Sequence, residues 1–236
     1  MRKSLCVLLV LCLLLSGSAA AQAAPIPSAV SELYSAEGVY TDDIGNRKSY
    51  SYHVPQLRDD TPDAREINAE IAEKYGGEAE DEFRRMEGGF SLCCGSIGWE
   101  AFWSGRQLFL LLRADTPNDL VEYDACGYDF ETGSRITNEE LLEQRGLSEE
   151  EYLAALREAA RAAFERLNAA YPEERRADGD YEALWERTRE GQTMEQPMYI
   201  DRDGELAVIA EICVFAGAGR YKLPLRPFAR DGAAAP

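Results

Sequence analysis

Histidine is almost missing: His53 is the only one in 236 residues. A single imidazole cannot supply the paired ligands of an H-E-x-x-H metal site. No G-x-S-x-G elbow accompanies it, so no Ser-His-Asp arrangement is signalled by motif. On its own strand, parity groups His53 with Ser49 and Ser51 and predicts a partly exposed strand residue. Positive charge is also scarce, with 25 Lys and Arg against 43 Asp and Glu and a net charge of −18. Such an excess repels nucleic acid and anionic lipid. It serves solubility, and it would speed encounter with a cationic partner. No apolar run approaches the roughly 20 residues that a membrane-spanning helix needs.

The longest apolar run is Leu5 to Leu15, and its flanks give it a meaning. Arg2 and Lys3 precede it, and Ser16 to Ala24 is a small-residue stretch in which Ala21-Gln22-Ala23 fits a cleavage pattern. These parts, in this order, predict a secretory signal peptide over 1–23 and an extracellular or cell-envelope location. A retained anchor is the alternative. Loss of Arg2 and Lys3 leaves 23 basic against 43 acidic residues, a charge of −20.

Of six cysteines, Cys93, Cys94, Cys126 and Cys213 lie beyond the leader. An even number in an exported chain favours disulfides. Neighbours such as Cys93 and Cys94 bridge each other only with strain. The expected pairing is therefore one of them with Cys126 and the other with Cys213. Buried free thiols are the alternative; a zinc site fits poorly, since Cys-Cys adjacency is not C-x-x-C spacing and no histidine lies nearby.

A linker is expected over 24–31, one domain over 32–228 with a seam between lobes 32–115 and 116–228, and a disordered tail over 229–236. Alternation predicts strands over Glu32–Thr41 and Lys48–Val54 around the Asp42–Asn46 turn. Thr61-Pro62 opens a helix whose apolar stripe is Ile67, Ile71, Tyr75, Ala79 and Phe83, weakened at Gly76-Gly77. Strands over Ile97–Trp103 and Gln107–Ala114 flank the Ser104-Gly105 turn, and Leu120–Phe130 follows. Leu108 to Leu112 is apolar throughout, the pattern of a central strand covered on both faces. Thr137 with Glu140 and Ser148 with Glu151 are capping boxes, and Gly146 suits the stop between the two helices. The second helix runs to about Ala170, and Asp180 is placed to cap a third. Met198–Ile200 and Leu206–Phe215 flank the Asp201-Arg202-Asp203-Gly204 turn, and Tyr221–Leu225 closes the chain. The fold class is α+β: one mainly antiparallel sheet with two or three helices packed on a face.

No motif supplies chemistry. The Asp201 turn begins like a calcium loop, but Ile212 stands where the twelfth-position glutamate belongs. Gly217 and Gly219 lie between strands, with no helix N-terminus to hold a phosphate. Among so many acids, carboxylate pairs arise by chance, so none is singled out for glycoside hydrolysis.

One resemblance emerges from Tyr128-Asp129-Phe130-Glu131-Thr132-Gly133-Ser134, Met198-Tyr199-Ile200-Asp201-Arg202-Asp203-Gly204-Glu205-Leu206 and Glu211-Ile212-Cys213-Val214-Phe215-Ala216-Gly217-Ala218-Gly219. Over about 48–228 this layout resembles the extracellular domain of RsiV-type anti-sigma factors, which also accompanies some peptidoglycan deacetylases. Cys213 and Val214 stand where that family has a small residue and proline. The resemblance implies a non-catalytic binding or sensor domain without cofactor or metal. Its partner would be a basic, lysozyme-like protein acting on the cell wall, or peptidoglycan itself. Neither a sigma-binding segment nor the deacetylase's metal domain is visible. The contact surface expected is Glu211, Phe215, Gly217, Gly219 and Tyr221, with Tyr128 from the Asp124–Tyr128 stretch, because aromatic residues beside glycines can be exposed anchors; core packing of these aromatics is the alternative. Alternatives are a peptidoglycan hydrolase using paired carboxylates and a structural envelope protein.

Overall fold

A computed structural model describes residues 29–115, 121–172, 179–215 and 219–229. The leader, most of the linker, Gly217 and nearly all of the tail lie outside the described residues.

The chain opens with a hairpin, β1 (Val30–Thr41) and β2 (Arg47–Leu57), turned at Asp42, whose carboxylate accepts the Asn46 and Ile44 N–H groups. Thr61 caps α1 (Pro62–Ile71), accepting the Ala64 N–H, with proline at the first helical position. The helix continues through a π-helical turn (Ala72–Gly76) into α2 (Gly77–Glu87). The apolar stripe explains that turn. Positions 67, 71, 75, 79 and 83 recur every four residues, and an α-helix drifts by about 40° at each such step, or about 160° over the stripe. A π turn closes over five residues rather than four, so its wider turn absorbs part of the drift. Ile67, Ile71, Tyr75 and Ala79 thereby stay on one buried face. Phe83 packs its ring against Tyr34, Tyr50 and Tyr52.

Strands β3 (Ser96–Ser104), β4 (Gln107–Asp115), β5 (Val121–Asp129) and β6 (Ser134–Ile136) complete a six-stranded sheet in the order β1-β2-β3-β4-β5-β6. Its pairings are antiparallel except β2 with β3, between which the helix carries the chain back. Helices α3 (Asn138–Arg145) and α4 (Glu149–Leu167) follow, both opened by the expected capping boxes, and Gly146 ends α3 with φ of 65°. Before α5 (Asp180–Glu190), the N-cap is Gly179, and Asp180 lies in the first turn rather than at the cap.

The last strands, β7 (Met198–Ile200), β8 (Leu206–Cys213) and β9 (Arg220–Leu225), pair only with one another and form a second sheet. The expectation of a single sheet is corrected here, and β8 supplies the reason. All of its residues but Glu211 are buried, so it needs cover on both faces. The same holds for β4. Leu108, Leu110, Leu112 and Ala114 join the core under α1 and α2. Phe109 and Leu111 join a second core, shared with the small sheet and helices α4 and α5. Four layers result within one compact α+β domain: helix, large sheet, small sheet, helices. Among the described residues, no helix is long and apolar enough to cross a membrane.

The end of α4 is tied to the end of β8 through Asn168, which is fully buried. Its amide donates to the Phe164 and Cys213 carbonyls and its Oδ1 accepts the Phe215 N–H, at 3.0–3.1 Å. Asn168→Ala leaves those groups unsatisfied, and the expected loss is about 3 kcal/mol of unfolding free energy. Urea denaturation checks this; a loss within experimental error would show that the tie contributes nothing.

Candidate functional site

The four cysteines are unpaired, which corrects the disulfide expectation. Topology separates them. The buried Glu82 carboxylate accepts the N–H groups of Cys93 and Cys94, and the Tyr52 hydroxyl donates to the Cys94 carbonyl at 2.7 Å. Cys94 is thereby pinned beside Gly95, whose N–H bonds the Asp115 carbonyl. Cys126 lies opposite Leu110, five residues farther along β4. At about 3.4 Å per residue that is about 17 Å, against the roughly 5.5 Å between Cα atoms of a disulfide. Cys213 ends β8, in the other sheet.

The residues implied as a contact surface are only partly brought together. Glu211 lies opposite Lys222 and pairs with Arg220 at 2.8 Å. Phe215 is 37% exposed, its ring packed edge-on against Tyr171 at 4.7 Å. Gly219 has φ of 79°, and Tyr221 lies opposite Ile212. These four gather at one end of the small sheet. Tyr128 stands apart, 1% exposed in the core under α1. Its hydroxyl donates to Asp59 at 2.6 Å and lies 2.8 Å from that of Thr61, tying the start of α1 to β5. His53 is a half-buried strand residue, as its parity predicts. Its ring nitrogens lie 2.9 Å from Glu32 and from Glu37, and the Glu37 contact, followed by Glu32, raises its pKa against the opposing effect of burial.

A concave surface that gathers several charged side chains lies elsewhere, along β5. A cavity of about 350 Å³ is walled by α1 and the π turn on one side, β5 as its floor, and the chain between β6 and β7 on the other. A second, of about 280 Å³, continues toward Glu211 and Lys222. Both are lined by Asp124, Glu195 and Pro197, so they form one groove. Its far wall is held by Asn138, whose amide donates to the Met194 and Gln196 carbonyls. Gln192 donates to the Thr188 and Glu211 carbonyls on the same side.

The groove is charged at its edges, and buried Ile67, Ile71, Leu112 and Ile136 line it with the Tyr75 ring. Lys74 pairs with Asp124 at 2.9 Å and Arg135 with Glu70 at 2.7 Å. Tyr75, which the π turn presents to the wider cavity, is 2% exposed, and among the described residues its hydroxyl has no hydrogen-bond partner. Burial, then the charges of Asp124, Glu122 and Glu78, raise its pKa and keep it neutral. Burial likewise pushes the Cys126 thiol up to about 12. Glu78 is raised by burial, then by Glu122 and Glu82, with Lys74 opposing. Beside the groove, Glu78, Glu82 and Glu122 thus stand close enough to raise one another's cost of ionisation, with Lys74 opposing. Among the described residues, no three His, Cys, Asp or Glu side chains are grouped to hold a metal ion.

Aromatics beside glycines direct attention to the end of the small sheet and to Asp124–Tyr128, and they give no sign of the groove between. The four-residue stripe with a double glycine was the one available signal of a π turn, a feature frequent at functional sites. Arg135 and Glu195 carried no signal, because they meet β5 only through the fold. No family model matches the chain, and no curated protein matches it.

Two predictions follow from these environments. Brief alkylation at pH 8 with peptide mapping should label exposed Cys93. Buried Cys94, its pKa raised to about 12, and buried Cys213 should label only after denaturation, and Cys126, half-buried in the groove, should label more slowly than Cys93. A cysteine that resists labelling in denaturant without reductant would reinstate a disulfide. For Glu78, the folded pKa lies above the unfolded one, so ionisation at neutral pH costs stability, and that cost disappears as pH falls through the raised pKa. Glu78→Gln should therefore raise the melting temperature at pH 7.5 and leave it unchanged at pH 4. A gain of equal size at both values would show that charge is not its origin.

Proposed function

We propose that the chain is an exported, non-catalytic recognition domain of the RsiV extracellular type, and that it binds a cationic protein active on the cell wall, such as lysozyme. The observation that carries this reading is uncompensated negative charge beside a preformed groove. Glu78, Glu122 and Asp124 cluster around Tyr75, and Lys74 lies among them, paired with Asp124. The Glu78 carboxyl is raised by that crowding as well as by burial, so a positive charge arriving there would relieve a cost the free protein already carries. The overall charge of −18 acts in the same direction at longer range. The sequence resemblance to RsiV-type domains and the leader pattern support an outward-facing setting.

A domain of this kind binds through electrostatic complementarity, which sets encounter rate and salt dependence. The expected outcome is retention of hen lysozyme by the immobilised chain at about 20 mM salt, weakening at least tenfold by about 300 mM, where screening is short-ranged. Cytochrome c, a basic protein of different shape, should be retained less well. Failure to retain lysozyme at low salt would overturn the lysozyme reading. Release of sugars from purified peptidoglycan would replace it with the hydrolase alternative.

A further inference from the structure

The free edge of β5 and the groove beside it carry a more specific inference. The Phe130 N–H bonds the Arg106 carbonyl, which sets the parity of the strand: even-numbered residues of β5 point their main-chain groups toward β4. The β4–β5 register is unbroken from Gln107–Asp129 to Asp115–Val121, so odd-numbered residues point the other way throughout. There β6 pairs only with Gly127, Tyr128 and Asp129. Among the described residues nothing pairs on this side with the six residues of β5 beyond it, about 20 Å of strand, and Tyr123 and Ala125 line the groove there. One of these is already guarded. The Ala125 N–H donates at 2.9 Å to the Asp124 carboxylate, whose other oxygen holds Lys74.

We infer that this groove binds an extended cationic peptide segment, which adds to the large sheet as a strand beside β5. Main-chain pairing to Tyr123 and Ala125 provides the affinity, and the peptide displaces the Asp124 side chain from the Ala125 N–H. The buried Tyr75 hydroxyl, without a partner among the described residues, gains a hydrogen bond by donating to a group of the guest. Alternate lysine or arginine side chains of the peptide face Asp124 and Glu122, whose charges act together on Tyr75. An extended chain fits better than a compact ligand, because the two cavities follow the strand in line and share Asp124, Glu195 and Pro197. The inference rests on the reading of the chain as a recognition domain and specifies how a basic partner is engaged.

The test uses the purified chain and a dye-labelled acetyl-Lys-Val-Lys-Val-Lys-Val-amide peptide, followed by fluorescence anisotropy, with amide NMR of the protein. Binding should shift the Tyr123 and Ala125 amides. It should weaken at least tenfold when alternate peptide nitrogens are methylated, and be lost when glutamate replaces lysine. Ala125→Pro removes an N–H that takes no part in the β4 ladder, so it should leave the melting temperature nearly unchanged and weaken the peptide at least tenfold. Tyr75→Phe should weaken it several-fold. Equal binding of the methylated peptide to the unaltered protein would overturn the inference without reliance on any variant, as would unshifted Tyr123 and Ala125 amides at saturation. Lysozyme retained equally by the unaltered chain and Ala125→Pro would leave the recognition reading standing and remove the groove from it. Peptide pairing without lysozyme retention would support the groove and remove lysozyme as the partner.

Discussion

The fourth strand has to be buried on both faces, and the rest of the architecture follows from that requirement. Leu108 through Leu112 leave no polar face to turn toward water. Each side chain of that size contributes about 1.5–3 kcal/mol when fully buried, so exposing either face would cost several such contributions together. One face is covered by the α1–α2 helix and the other by the small sheet. The small sheet has the same difficulty in β8 and passes it outward to α4 and α5. The layering ends only where amphipathic helices, with charged outer faces, meet solvent.

The groove is a consequence of covering one sheet from two sides with elements of different shape. Helix and small sheet both reach β5, but β6 is three residues long and pairs with only a third of it. Strand edge is left between the two covers. Gly127 marks how closely the layers approach at the end where β6 pairs: a Cβ there would lie 2.9 Å from the Phe109 ring and 3.1 Å from Ile136. Exposed edges invite unwanted pairing, and proteins commonly blunt them with charge. Asp124 does this by occupying the Ala125 N–H, and Lys74 holds Asp124 in place. The electrostatics of the groove and the protection of the edge are therefore one arrangement.

Much of the fold was legible beforehand. Both capping boxes, the αL stop at Gly146, the tight turn ending at Gly204 and the two-sided burial of β4 all appear where their residue patterns placed them. The disulfides and the single sheet did not. Pairing cysteines by elimination assumes that they can meet, and β-sheet register set Cys94 and Cys126 too far apart along β4. The expectation of one sheet left β8 without the cover on both faces that its burial pattern shows it needs. Tyr128, chosen as an aromatic beside a glycine, went to the core because the partners for its hydroxyl, Asp59 and Thr61, lie about seventy residues away.

What the sequence by itself determined was local: strand and helix identities, their caps and turns, and the acidic balance. These depend on contacts within a few residues, where backbone geometry and side-chain type suffice. Tertiary structure decided which sheet each strand joined, where the cysteines lay, and that a half-covered strand edge, a partnerless Tyr75 hydroxyl and a crowd of carboxylates should share one groove. Those outcomes depend on register and layer packing between distant segments, which no local pattern encodes.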